Sequence, residues 1–326
     1  MASYNHDKYI SEAIESVLNQ TFKDLELIII DDCSTDNSPK IIADYQKKDP
    51  RVRAFFHQKN MGISKTLNDC LKEVRGNFIG LIGSDDLWVE NKLEKQLGVL
   101  KRDSSKIVWS EGEIINSQGI KTGKRVTEFL SAPSKKSGDI FQDLVREQFV
   151  FGQSLIFNSA FINDLRFDEE LKYVNDHRFL VDLSANNQFV FMPEPLARYR
   201  LHSSNTTFKD EKGWLKDKII LRKYFLDKYI DKISNEVKAD INYKIGYYLS
   251  RLGKKNEAKE YYLQALKIDH FHANSALYLV LALTGGNGFL GNLLVAFYYS
   301  AHSIPTNLSA KLPKQLFTWR SNKNKR

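Results

Sequence analysis

Apolar residues recur along the first 110 positions with two alternating periods. Ile10, Ala13, Ile14, Val17 and Leu18 fall at helical spacing, with Asp7 or Ser11 placed to cap that helix. Leu25–Ile30 is a short β-rich run ending in Asp31-Asp32. Pro39–Lys47 reads as a helix, Val52–His57 as a strand, and Ile63–Val74 as a helix that Gly76 stops. Phe78–Ile82 is a fully apolar strand leading into Ser84-Asp85-Asp86; Val89–Arg102 is a helix and Lys106–Trp109 a strand. Strands alternating with helices of this length predict a parallel sheet covered on both faces. Ligand crevices of such sheets lie at the carboxyl ends of the strands, where both acidic pairs stand. A unit of this kind opens on a strand, yet Met1–Asn5 reads as a strand's last residue and its loop. The first strand is therefore expected to be absent, or the start to lie about six to ten residues too late. Poor stability is expected with it, from exposed sheet edges and lost apolar burial.

Beyond this region the pattern changes twice. Gly112–Lys136 carries turn signals and predicts a hairpin and a mobile loop, and strand character returns over Gln188–Arg200. After Asn205 the period is helical: Trp214–Tyr229 is one amphipathic helix, and Asn242–Ile268 a helix–turn–helix that resembles one tetratricopeptide unit. His270–Ala310 is a run of 41 residues without Asp, Glu, Lys or Arg, and the sixteen residues after it hold six basic and no acidic side chains. Each apolar half of that run is too short to span a bilayer. It reads as a buried hairpin with a solvated tail, or as a peripheral contact with anionic lipid. The expected organisation is a catalytic domain over 1–205 and a helical region over 206–326, with the tetratricopeptide-like hairpin at about 239–269.

Composition narrows the class. At 326 residues, 42% hydrophobic and 12% aromatic, the chain has the makings of a large core, which excludes a disordered or disulfide-stapled protein. Two distant cysteines, Cys33 and Cys70, form no zinc or redox motif and suit a reducing compartment. The net charge of +8 divides into +11 over Thr206–Arg326 and −3 over Met1–Asn205. That asymmetry points to a membrane surface or anionic substrate, and the scattered basic residues argue against nucleic acid. No secretory signal pattern opens the chain, so a cytoplasmic protein is expected, with a peripheral place at the inner face of the membrane as the further expectation. Walker, dinucleotide-glycine and Ser/His/Asp patterns are lacking.

The residues at the strand ends carry the chemistry. Asp32 can accept the imide N–H of uracil, or cap the helix that follows. The adjacent carboxylates Asp85 and Asp86 repel unless a cation or hydrogen bonds compensate, so they hold a divalent ion or cap the next helix. Asp176 is a carboxylate able to deprotonate an acceptor hydroxyl, or a helix cap. Trp88 reads as packing in preference to stacking on an acceptor.

Tyr4-Asn5, Ser16–Thr21, Glu26–Asp36, Ser84-Asp85-Asp86, Ser154–Phe157, Asn175-Asp176 and Tyr199–Asn205 occur in an order that resembles family 2 glycosyltransferases, inverting enzymes of the GT-A fold. The resemblance covers roughly 1–205 and implies an α/β domain that transfers sugar from a nucleotide-diphosphate donor, UDP-linked, using Mn2+ or Mg2+. It implies that Asp32 reads the base, Asp31 supports its loop, Ala2 and Tyr4 touch the base, and Lys65 or Asn68 flanks the nucleotide. It gives the ribose to Asp85, the metal to Asp86, the diphosphate or metal to His202, phosphate clamping to Arg200 and the base role to Asp176. Leu67 stands where many relatives have arginine and Asn175 where they have glutamate. His57, His177, His270, His272 and His302 have no ligand spacing. The implied acceptor is a surface glycan or lipid-linked oligosaccharide. The alternatives are a catalytically inactive nucleotide-sugar-binding scaffold acting through its helices, and a nucleotidyltransferase, which would carry a glycine-rich basic loop that Ser3–Lys8 is not.

Overall fold

The computed structural model describes residues 1–270 except 134, 135, 164, 204 and 206–209, together with 275 and 279. The uncharged segment after His270, apart from Ser275 and Leu279, and the basic tail lie outside the described residues, and so does the expected contact with anionic lipid. The chain forms two compact units, Met1–Val237 and Lys238–Arg326.

The first unit begins with β1 (Ala2–Ser3), α1 (Ile10–Leu18), β2 (Leu27–Asp31), α2 (Ser38–Lys48), β3 (Val52–Phe56), α3 (Ile63–Lys72) and β4 (Phe78–Gly80). It continues through β5 (Leu87–Trp88), α4 (Lys92–Leu100), β6 (Lys106–Ile115), β7 (Lys121–Arg125), α5 (Val126–Phe129), α6 (Phe141–Arg146) and β8 (Ile156–Asn158). α7 (Asn175–Ser184), β9 (Gln188–Arg200) and α8 (Glu211–Lys228) complete it. The apolar positions expected to form one face of α1 are all buried. Every residue of β2 is buried, as an unbroken apolar run requires of a strand covered on both sides. The expected cap of α1 is not used: Tyr9 occupies the cap position without a side-chain bond, because Asp7 binds the 36–37 loop instead.

The strands do not form the single parallel sheet that the alternation predicts. β1, β2 and β3 are parallel neighbours; β4, β8, β6, β9 and β5 make a separate sheet in that order, with β7 on β6. Only β6 and β9 are parallel in the second sheet. β8 enters antiparallel between β4 and β6, and β6 runs past Trp109 to make the expected hairpin with β7. β9 tolerates Pro193 and Pro195 because its register with β6 shifts there, from Ser110–Met192 to Glu111–Pro195.

Helix α8 belongs to the first unit, so the division falls beyond the expected Asn205 boundary. Asp217 of α8 accepts the N–H groups of Lys172 and Tyr173 at 2.8 Å, which fastens the helix to the segment preceding α7. The second unit contains most of α9 (Asn235–Arg251) and all of α10 (Lys255–Ile268), the predicted hairpin. These helices meet at Gly246, where a β-carbon would lie 2.6 Å from the Tyr262 ring. Among the described residues, no helix is long and apolar enough to cross a membrane.

Candidate active site

Three elements deliver the most concentrated polar cluster. The loop after β1 carries His6, the turn after β4 carries Ser84-Asp85-Asp86, and the segment after β9 carries His202. His202 Nε2 lies 3.0 Å from Asp85 Oδ2, and His6 Nε2 lies 3.9 Å from the same oxygen. His6 Nδ1 is 2.7 Å from Ser84 Oγ. One ligand atom from each of His6, Asp85 and His202 falls within 4.8 Å of the others. Two imidazoles and a carboxylate are a donor set for a divalent transition ion, and fit Mn2+ better than the oxygen-seeking Mg2+.

The acidic neighbours divide their charge. Burial favours protonation of Asp85, but the His202 hydrogen bond and the charges of His6 and His202 outweigh it and hold the carboxyl below its ordinary range. Burial, reinforced by the Asp85 charge, pushes Asp86 well above that range. Asp86 is turned inward, its Oδ1 accepting the Arg200 N–H at 2.9 Å. Of the two residues expected to take the metal, His202 faces Asp85 and Asp86 does not; His6, absent from the expected set, joins Asp85 and His202. The sequence signal for His6 was its place in the loop after a strand end, opposite a second acidic strand end. Gly83 leaves room for this turn, since a β-carbon there would sit 2.8 Å from oxygens of both Asp85 and Asp86.

Arg200 is likewise reassigned. It is completely buried, donates from Nε to the Asp85 carbonyl at 2.8 Å and from Nη2 to Glu12 at 2.9 Å, and stacks over Tyr9 at 4.9 Å. A guanidinium engaged in this way braces the acidic turn and is not presented to a phosphate. Trp88 packs as expected, its indole N–H donating to the Gln153 carbonyl and its ring beneath Lys92.

The Asp31-Asp32 end of β2 forms a second polar centre. Asp31 accepts the N–H and hydroxyl of Ser34 at 2.8 and 2.6 Å, holding its loop. Asp32 accepts the N–H groups of Met61 and Gly62 at 2.7 and 2.8 Å, and lies 2.8 Å from His57 Nδ1. Three of a carboxylate's roughly four acceptor positions are thus taken. His57 also lies 3.3 Å from Asp69, which pairs with Lys65 at 2.5 Å. Asn68 does not face the crevice: its amide accepts the Phe167 N–H at 2.8 Å and donates to the Phe167 carbonyl at 2.9 Å. Ala2 pairs with Ile30 in the ladder, and Tyr4 is exposed beside it.

Asp176 lies in the first turn of α7 and is exposed, with protein packed around it. That enclosure raises its carboxyl above the usual range. Asn175 orients it: Oδ1 accepts the Asp176 N–H at 2.7 Å, and Nδ2 donates to Ser64 Oγ at 2.7 Å. Ser64 lies in the first turn of α3, directly after the Met61-Gly62 amides that hold Asp32.

The Glycosyl transferase family 2 profile matches residues 1–164, and a Tetratricopeptide repeat profile matches 239–271. An uncharacterised glycosyltransferase of Rickettsia bellii is 28% identical over 224 residues, which is 69% of this chain but 31% of that protein. One from Methanocaldococcus jannaschii is 30% identical over 205 residues, 62% of this chain and 69% of that protein. The chain thus spans about a third of the first relative and just over two thirds of the second. Among solved structures, S. aureus TarS 1-349 in complex with UDP-GlcNAc has a TM-score of 0.65 at 18% identity, covering 87% of this chain and 86% of that one. The mannosyltransferase PcManGT from Pyrobaculum calidifontis, in complex with GDP-Man and Mn2+, has a TM-score of 0.56 at 15% identity, covering 98% and 81%. At such identities the likeness concerns the fold. With the family profile matching half of its length and the strand-end carboxylates in place, the chain belongs to glycosyl transferase family 2, with a GT-A fold and a C-terminal helical extension containing a tetratricopeptide-like hairpin.

Proposed function

We propose that the protein is an inverting glycosyltransferase that takes a sugar from a UDP-linked donor and passes it to a glycan hydroxyl. The observation that carries this reading is the convergence of His6, Asp85 and His202 after three separate strands. These three residues would hold the divalent ion, Mn2+ in preference to Mg2+. Bound there, such an ion supplies Lewis-acid neutralisation of charge on a diphosphate leaving group.

The chain's own residues account for the remaining work. Asp31 and Asp32 hold the loops after β2 and β3 against one another, beside the exposed Tyr4 ring on which a base can rest. Asp176 takes the acceptor's proton as the hydroxyl attacks, and a carboxyl raised above its usual range is the stronger base for that step. Asn175 keeps its carboxylate in register with the donor loop. The uracil preference draws on the UDP-GlcNAc bound by TarS, and a polysaccharide acceptor on a Bacillus subtilis relative provisionally named a teichuronic acid biosynthesis glycosyltransferase, 33% identical over 137 residues.

A thermal-shift panel of UDP, GDP, CMP and dTDP, each with and without Mn2+, tests the donor site. A Mn2+-dependent rise with UDP is expected; a cooperatively melting chain that no nucleotide shifts would refute the reading. Asp176→Asn is expected to retain UDP affinity and lose transfer by about a hundredfold or more, within the usual range for a general base. Lost UDP affinity with kcat preserved would remove Asp176 from the base role.

A further inference from the structure

Asp32 is held so fully that its remaining acceptor capacity can be counted. Its Oδ1 accepts the Met61 N–H at 2.7 Å and lies 2.8 Å from His57 Nδ1, and its Oδ2 accepts the Gly62 N–H at 2.8 Å. A carboxylate offers about two positions on each oxygen. Among the described residues no other donor reaches this one, so Oδ1 is filled and Oδ2 keeps a single position. The side chain is 5% exposed, a window for one further donor.

His57 takes its place on Oδ1 because its main chain and both ring nitrogens are engaged. Its N–H donates to the Asp31 carbonyl at 2.9 Å, which continues the β2–β3 ladder and sets the ring beside Asp32. Its Nε2 lies 3.3 Å from Asp69 Oδ2. Asp69 is itself fixed: Lys65 reaches its two oxygens at 2.5 and 2.6 Å, and Lys72 reaches Oδ1 at 2.7 Å. Two lysines of α3 thus anchor Asp69, Asp69 anchors the imidazole, and the imidazole closes Oδ1.

Nucleobases differ in what they present to such a carboxylate. Uracil offers one imide N–H between two carbonyl oxygens. Guanine offers a ring N–H and an adjacent amino N–H, which a carboxylate with both oxygens open accepts as a fork. Cytosine and adenine set a ring acceptor beside their amino group, and that acceptor repels a carboxylate oxygen.

We propose that His57 is a positioning residue that sets the nucleobase specificity of the donor site: by occupying Oδ1 it leaves Asp32 one acceptor position, enough for the imide of uracil and too few for guanine. This rests on the reading of the protein as a UDP-sugar transferase, with Asp32 at the base. Bound there, guanine keeps one N–H desolvated and unpaired, which weakens it by about tenfold or more. With Oδ1 closed, the carbonyl oxygens of uracil also meet no unengaged lone pair on that side.

Hypoxanthine is the discriminating probe, since it is guanine without the amino group. Inosine diphosphate and GDP are competed against UDP in the presence of Mn2+, by calorimetry, on the unaltered chain, His57→Phe and His57→Asn. In the unaltered chain UDP is expected to bind tightest, and inosine diphosphate about tenfold or more tighter than GDP. His57→Phe opens Oδ1, and GDP is expected to match or pass inosine diphosphate; His57→Asn, which returns an N–H donor toward Oδ1, restores the original order. GDP binding the unaltered chain as well as inosine diphosphate does, or an unchanged order in His57→Phe, would overturn the proposal and leave the UDP reading intact. Purines that compete in none of the three chains would assign their exclusion to size and overturn it as well. An unaltered chain that binds no UDP refutes the donor reading, and the proposal with it. Should His57→Phe fail to fold, the order of the two purines in the unaltered chain still decides.

Discussion

The fully buried carboxylate beside the partly buried one is the clearest case of residue chemistry set by surroundings. Asp85 and Asp86 are adjacent and identical in type, yet one faces two imidazoles and the other faces the Arg200 main chain. Asp85→Asn is therefore expected to weaken Mn2+-dependent UDP binding about tenfold or more, roughly 1.4 kcal/mol. Asp86→Asn, which keeps the shape and an acceptor for Arg200, is expected to change it less than about threefold; calorimetric titration of both variants decides. The reverse order of effects would restore Asp86 as the ligand. His177 gives a separate pH dependence. Burial first, then the charges of Lys218 and Arg222, lower its pKa to about 3, and its Nε2 donates to the Leu144 carbonyl. Unfolded, it titrates near 6.5. Its contribution to stability is thus complete above pH 6.5 and is lost progressively as pH falls toward 3, at about 1.4 kcal/mol per pH unit. Urea unfolding at pH 7.0, 5.5 and 4.5 should show this slope, and His177→Phe should flatten it. An unchanged slope would assign the acid sensitivity to other groups.

At the scale of elements, the pattern of apolar residues located most helices and strands, because one-sided burial imposes the period directly. α1, α3 and the α9–α10 pair follow the apolar positions that predicted them, with ends displaced by a few residues. What the pattern did not carry was strand direction: the antiparallel placement of β8 depends on a long return from the β6–β7 hairpin, not on local sequence. Candidate site residues were singled out where they follow strands, as Asp32 follows β2 and Asp85 follows β4. The partners of Arg200 and Asn68 lie far off in sequence, at Glu12 and Phe167, and were not legible from it. Two helical glycines separate propensity from packing. Gly98 in α4 has nothing within 4 Å of a β-carbon, so Gly98→Ala should stabilise by about 1 kcal/mol. Gly246 would place that carbon 2.6 Å from the Tyr262 ring, and overpacking of about 1–3 kcal/mol outweighs the same propensity gain. Gly246→Ala should therefore lower Tm; a rise in both variants would show that the α9–α10 approach has room to spare.

For the whole molecule, the division into two units and the interruption between β2 and β4 matter most. The extent of the first unit was not legible in the sequence, because α8 has the same helical period as the extension, and the contacts that attach it, such as Asp217 to Lys172 and Tyr173 and Tyr224 to Asp182, join residues remote in sequence. The brace made by Arg200 has a consequence in time as well as in space. It joins Glu12 to a residue 188 positions later, and the His6 cluster closes only when His202 arrives. At 5–20 residues per second, synthesis leaves roughly ten to forty seconds during which the early histidine exists without His202, and roughly six to twenty-three during which the acidic turn exists without Arg200. A nascent chain therefore has no complete candidate ion site until most of the first unit has been made, and the proposed chemistry would be acquired late in its own synthesis.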